Sequence, residues 1–167
     1  MTEFVKTLIS DLRADDASIV DEALLQMSFI FEKHRGVGKN WEIERQITDL
    51  YWSTEVATTH FSDADVAALK SAVIAYIELE PTAERVWGAL SALSALMDAT
   101  TKSTFVEALQ KFAGTDSTAL YQAMIGLDNI GEDVFAGRQS KSFTMVEENT
   151  RLAKEYLKRQ DKNENPS

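Results

Sequence analysis

A chain of 167 residues, 44% hydrophobic and 26% charged, is the size of one domain and can bury a substantial core without disulfides or metals. It has no cysteine, which excludes a disulfide framework, a thiolate metal site and a cysteine nucleophile, and its two histidines, His34 and His60, show no HExxH spacing. The formal net charge of −10, from 27 acidic and 17 basic residues, opposes binding to phosphate backbones and anionic membranes and favours a basic protein as partner.

The stretch from Met1 to Asp16 has neither a basic start nor a long apolar run, so it shows no signal-peptide pattern. No segment reaches the roughly 20 apolar residues that span a bilayer. A cytoplasmic protein with no nucleic-acid and no membrane partner is the expectation.

From the N-terminus onward, helix follows helix. Between Thr2 and Arg13, the residues Phe4, Val5, Leu8, Ile9 and Leu12 form one apolar stripe. Asp16 to Lys33 repeats the pattern with Ile19, Val20, Ala23, Leu24, Met27, Ile30 and Phe31, and Asp15 or Asp16 serves as the cap. The next stretch, HRGVGKNW from His34 to Trp41, gathers two glycines and a lysine beside a helix, as a phosphate loop would. Such a loop needs a glycine five residues before Gly38 and a Ser or Thr after Lys39, where this chain has Lys33 and Asn40. The stretch therefore reads as a connector: Gly36 closes one helix in a left-handed conformation, Lys33, His34 and Arg35 favour its negative end, and Asn40 caps the next.

Trp41 to Trp52 then places Trp41, Ile47, Leu50 and Tyr51 on a buried face. Ser62-Asp63-Ala64-Asp65 is a capping sequence that opens a helix to about Glu78, which Pro81 stops. Thr82 to Met97, with Trp87 as a core residue, Lys102 to Phe112, Thr118 to Phe135 and Ser142 to Arg159 complete the series. No segment alternates with period two. The fold class is all-α, with residues 1–160 as a single helical domain and 161–167 as a flexible polar tail.

Three helices superimpose without gaps: Ala23 to Ile30 (ALLQMSFI), Ala89 to Leu96 (ALSALSAL) and Ala123 to Ile130 (AMIGLDNI), spaced by 66 and then 34 residues. Each reads alanine, a large apolar residue, two others, a large apolar residue, two others, a large apolar residue. Phe4 to Leu8 echoes Phe105 to Leu109 in the same way. Paired helices recurring at this spacing resemble the HEAT-like α-solenoids, which implies a short right-handed α-solenoid of about four helical hairpins; a seven- or eight-helix bundle is the alternative.

Candidate chemistry is sparse. Ser62, Asp63 and Asp65 lack the later glycine and glutamate of a calcium loop. Asp128 and Glu132, like Glu80 and Glu84, stand four apart, a spacing paired catalytic carboxylates can use, but no Glu-x-x-His arrangement accompanies them and a solvated face explains them. Trp52 follows Tyr51 beside Asp49 and Glu55, and aromatics beside acids make interface anchors. From Gln46 to Glu84 the acids Asp49, Glu55, Asp63, Asp65, Glu78, Glu80 and Glu84 face Lys70 alone, and Asp128, Glu132 and Asp133 lie one repeat further on. On one face of a solenoid they would make a continuous negative surface.

A small, acidic, cysteine-free helical protein of this kind resembles in type the bacterial immunity proteins, which neutralise a nuclease toxin by covering its active site. That resemblance implies a non-catalytic monomer that joins a basic, nuclease-type toxin in a heterodimer, without cofactor or metal. The contact residues it implies are Asp49, Tyr51, Trp52, Glu55, Glu80, Glu84, Asp128, Glu132 and Asp133. Two rival readings are a HEAT-like helical adaptor that binds a peptide or protein helix, and an enzyme assembled from scattered carboxylates and His60.

Overall fold

The computed structural model describes residues 1–36, 52–80, 82–138 and 141–164. Among them the protein is all-helical, with no strand. Eight α-helices are described: α1 (Glu3–Asp11), α2 (Ala17–His34), α3 (Thr54–Thr58), α4 (Asp63–Leu79), α5 (Ala83–Ser94), α6 (Lys102–Phe112), α7 (Ser117–Asn129) and α8 (Val146–Glu164), with a 3-10 turn at Ala99–Thr101. None of them is long and apolar enough to cross a membrane. They cluster into two compact units, Met1–Leu79 and Glu80–Ser167.

In the Met1–Leu79 unit, α1, α2 and α4 pack on one another and α3 lies on α2. α1 begins where the Thr2 hydroxyl accepts the Val5 N–H, and α2 where the Asp16 carboxylate accepts the Ser18 N–H at 2.9 Å. α2 stops at Gly36, whose φ of +90° is a left-handed conformation that side chains resist. α4 starts with a closed capping box: the Ser62 hydroxyl accepts the Asp65 N–H at 3.2 Å, and Asp65 accepts the Ser62 N–H at 3.1 Å. The core holds Val5, Leu8, Leu24, Met27, Ile30, Phe31, Val56, Leu69 and Val73. Each such side chain contributes about 1.5–3 kcal/mol by leaving water.

In the Glu80–Ser167 unit, α7 is the central element, packed by α5, α6 and α8, and α8 also touches α6. α7 and α6 approach so closely that a Cβ on Gly126 would overlap the Phe105 ring. α7 ends in a Schellman motif: the Glu132 N–H donates to the Leu127 carbonyl and the Gly131 N–H to the Asp128 carbonyl, both at 3.0 Å, with Gly131 at φ +90°.

The three superimposable segments bury equivalent positions. Ala23, Ala89 and Ala123 are buried, as are Leu24, Leu90 and Met124 behind them and Met27, Leu93 and Leu127 one turn on. The repeat pattern is thus a pattern of burial as well as of residue size.

Several boundaries differ from the sequence expectation. α7 stops at Asn129 rather than reaching Phe135, because Gly131 reverses the chain; Val134 and Phe135 are buried from a turn instead. α8 begins at Val146 rather than Ser142, since the Ser142 and Thr144 hydroxyls and the Thr144 N–H bond one another outside the helix. The helix then continues to Glu164, through the first residues of the expected tail. Trp87, expected in the core, is 44% exposed, one step around α5 from the buried Val86, and Ile19 is 43% exposed beside the buried Val20. Trp52 precedes α3 and is not helical. The expected contacts Asp49 and Tyr51, the core candidate Trp41, and Gly38 and Asn40 lie outside the described residues.

Candidate functional site

α3 is only five residues long and cannot hold itself. The Lys33 ammonium, from the last turn of α2, supplies what it lacks by donating to the carbonyls of Val56, Ala57 and Thr59 at 2.6, 2.7 and 2.9 Å. The Ser53 hydroxyl caps the other end and also donates to Gln26 Oε1 at 2.7 Å. These bonds lay Trp52, Ser53 and α3 along one flank of α2.

On the outward side of α2, Asp21, Leu25, Phe29 and Glu32 stand at intervals of four, four and three residues, in line along the helix. Leu25 is 47% exposed and Phe29 is half-buried. The Trp52 side chain, itself half-buried, stands beside the Glu32 carboxylate. Burial pushes the Glu32 carboxyl above its usual range, against the opposing pull of Trp52 and Arg35. The result is an apolar strip of Leu25, Phe29 and Trp52 between carboxylates, with Glu55 exposed on α3 beside it. Leu25 and Phe29 were legible in the sequence as apolar residues off the core stripe of α2, four apart on its other side.

The acids of this unit are largely uncompensated. Two of its described carboxylates meet a cation in an ion pair: Glu3 with Lys6, and Asp65 with the Met1 amine at 3.8 Å. Asp11, Asp15, Asp21, Glu55, Asp63 and Glu78 make none among the described residues. Asp65 is structural: hydrogen bonds from the Ser62 hydroxyl, the Thr2 N–H and the Ser62 N–H hold its carboxyl down to about 2.

The second unit treats its acids differently. Asp128 pairs with Lys141 at 2.6 Å, Glu132 with Lys102 at 2.7 Å, and Asp133 with Arg159 at 3.7 Å. Glu132 also accepts the hydroxyl of the buried Tyr156 at 2.8 Å. Burial works to raise the Glu132 carboxyl, but the hydrogen bonds from Lys102 and Tyr156 outweigh it and hold the group below its ordinary value. Burial, then the bond to Glu132, pushes the Tyr156 phenol up. Glu148 is held low by Arg151, with Arg138 also beside it. Of the remaining expected contacts, Glu80 accepts the N–H and hydroxyl of Thr82, and Glu84 is exposed in the first turn of α5.

A cleft of about 560 Å³, lined by Lys33, His34, Thr58, Thr59, His60, Phe61, Ser62 and Asp63, brings both histidines of the chain to one place. Among the described residues no three of His, Asp and Glu stand where they could hold a metal ion. The Lys33 amine at this cleft is engaged by the α3 carbonyls, and the Ser62 hydroxyl by the Asp65 carboxylate of the capping box.

No protein-family model matches this chain, and no curated protein or solved structure is significantly similar to it.

Proposed function

We propose that the chain is a non-catalytic acidic binding protein of the cytoplasm that neutralises a basic partner, of the nuclease-toxin type, by covering that partner's active site. The observation that carries this reading is the uneven use of carboxylates. The Met1–Leu79 unit has 14 acidic and 7 basic residues and leaves most of its described acids without a cation, so its field is available to a partner. Within this proposal Trp52 and Glu55 are contact residues. The cations of Lys141, Lys102 and Arg159 already occupy Asp128, Glu132 and Asp133, which makes those three secondary.

A HEAT-like stacking belongs to the same proposal. In the second unit α5 packs on α7 and α6 on α8, with α6 and α7 as the hairpin between them, which is the alternation a solenoid repeat produces. Ala89 and Ala123, at matching positions, are buried in that packing. A helical adaptor for an apolar segment is the second reading, favoured by the exposed Leu25 and the half-buried Phe29.

The test is capture from the source cell's lysate with the tagged chain at low and high salt, followed by nuclease assay of what is captured. Retention of one basic nuclease, released by salt, inhibited at one equivalent of the chain and lost when Asp21, Glu22 and Glu55 are changed to lysine, is the expected result. Capture of an acidic or neutral protein whose binding ignores salt would replace this reading with the adaptor.

A further inference from the structure

We infer that the outer side of α2 is where the basic partner docks, and that the docking segment is amphipathic: an apolar side chain seated on Leu25, Phe29 and Trp52, with a Lys or Arg on either side of it. This rests on the basic-partner reading above and gives it an address. Leu25 is exposed and Phe29 half-buried on a helix whose opposite side already fills the core with Val20, Leu24, Met27 and Phe31, so α2 gains nothing from Leu25 at the surface.

The charges decide what covers the strip. Asp21 lies at its N-terminal end and Glu32 at its C-terminal end, roughly 16 Å apart at 1.5 Å per residue, with Glu55 on the α3 side. Asp21 and Glu55 have no ion-pair partner among the described residues, and Glu32 is half-buried against Trp52. A second copy of the chain would bring carboxylate to carboxylate and net charge −10 to −10, so self-association is opposed. An acidic or neutral segment would desolvate Glu32 with Arg35 alone to offset the cost. A basic segment with cations about three helical turns apart satisfies both ends, and the methylene stems of Lys or Arg lie on the Phe29 and Trp52 rings.

The experiment titrates the full chain with three fluorescein-labelled 18-residue peptides. One carries leucines on one side, with two pairs of lysines 11 residues apart; the second replaces each lysine by glutamate; the third replaces each leucine by serine. The lysine–leucine peptide is expected to bind in 50 mM salt, and Leu25→Ala with Phe29→Ala to weaken it about tenfold. Asp21→Asn with Glu55→Gln, two exposed changes that leave the core alone, is expected to weaken it several-fold at 50 mM salt but little at 300 mM. Glu78→Gln with Glu107→Gln, exposed acids elsewhere, is expected to leave binding unchanged. Absence of binding, equal binding of the glutamate or the leucine-free peptide, or indifference to both variant pairs overturns the docking assignment.

The two readings fail separately. If the lysate partner is captured equally by wild type and both variants, the address is wrong and the basic-partner reading stands. If the peptide binds on α2 as described but no basic protein is ever captured, the address stands and the toxin reading falls.

Discussion

In the Glu80–Ser167 unit the carboxylates of Asp128, Glu132, Asp133 and Glu148 end on Lys141, Lys102, Arg159 and the pair Arg138 and Arg151; in the Met1–Leu79 unit those of Asp21, Glu55, Asp63 and Glu78 end in solvent. The totals barely hint at this, since the two stretches hold 14 and 13 acidic residues. What differs is the supply of bases, 7 against 10, and their placement: seven of the second unit's ten lie at or after Arg138, and Arg138, Lys141 and Arg159 bring cations to the turn after α7 and the start of α8. A net charge of −10 therefore describes two things at once: structural charge in the acids around the turn after α7, and available charge in the unpaired acids of the first unit.

The largest expected effect tests how tightly the second unit is built. Phe105 is fully buried against Gly126, so Phe105→Ala should cost about 3–5 kcal/mol in urea unfolding. Gly126→Ala should cost about 1–3 kcal/mol by forcing the ring aside, despite the better helix propensity of alanine. Combining Gly126→Ala with Phe105→Leu should recover part of that loss, a non-additivity the seam between α6 and α7 predicts. Full additivity would show that the two positions do not share the space described here.

Next in size is Asp65, 3% exposed and the best-bonded carboxylate of the first unit. Its folded carboxyl lies near 2, below the ordinary 3.8, so its contribution is complete above pH 4 and disappears as the pH falls from there towards 2. At neutral pH the contribution is on the order of 2 kcal/mol, and Asp65→Ala should remove it. The variant should show a smaller stability difference between pH 5 and pH 2.5 than the wild type, by Asp65's share; an unchanged difference would move that share to another group.

Glu32 and Glu132 give the sharpest contrast between the units. Glu132 is held below its ordinary value by Lys102 and Tyr156, so its contribution is present at neutral pH and lost on acidification. Glu132→Gln should destabilise by about 1 kcal/mol, chiefly by weakening the bond that satisfies the buried Tyr156 hydroxyl. Glu32 is raised by burial, so its contribution is present at low pH and lost as the pH rises through its folded value. Glu32→Gln should leave stability at pH 7 unchanged or higher. Urea midpoints for both variants at pH 7 and pH 4 check the opposite signs, and like signs would erase the contrast.

What the sequence made legible was local. The Ser62–Asp65 capping box, the left-handed Gly36, the Asp16 cap and the bounds of α6 all follow from residues within four positions of one another. The burial of Ala23, Ala89 and Ala123 followed from the repeat. The end of α7 was misread because Val134 and Phe135 continue an apolar period past Gly131, and the glycine's backbone preference wins over the periodicity. The pairing of the acids was not legible at all: Lys102 precedes Glu132 by 30 residues and Arg159 follows Asp133 by 26, separations no spacing rule reaches. For the same reason Asp128, Glu132 and Asp133 looked like a free surface, and the α2 strip, completed by Trp52 from 20 residues beyond Glu32, did not look like one.

The smallest expected effect on stability is also the most informative about function. Asp21, Glu22 and Glu55 are exposed and meet no cation among the described residues, so changing all three to lysine removes no ion pair and one side-chain hydrogen bond, from the Gln26 amide to Glu22. The change should shift the urea midpoint by less than about 0.5 kcal/mol per site, and in the stabilising direction if mutual repulsion among the unit's 14 acids is felt. The same reversal in the second unit, at Asp128, Glu132 and Asp133, breaks three ion pairs and the Tyr156 bond and should cost several times more. Carboxylates that meet no cation in their own fold are the ones whose charge remains for another molecule, so a first-unit triple variant that is fully stable and no longer captures a basic protein would tie the available charge to binding, and one that unfolds would show that this charge, too, is structural.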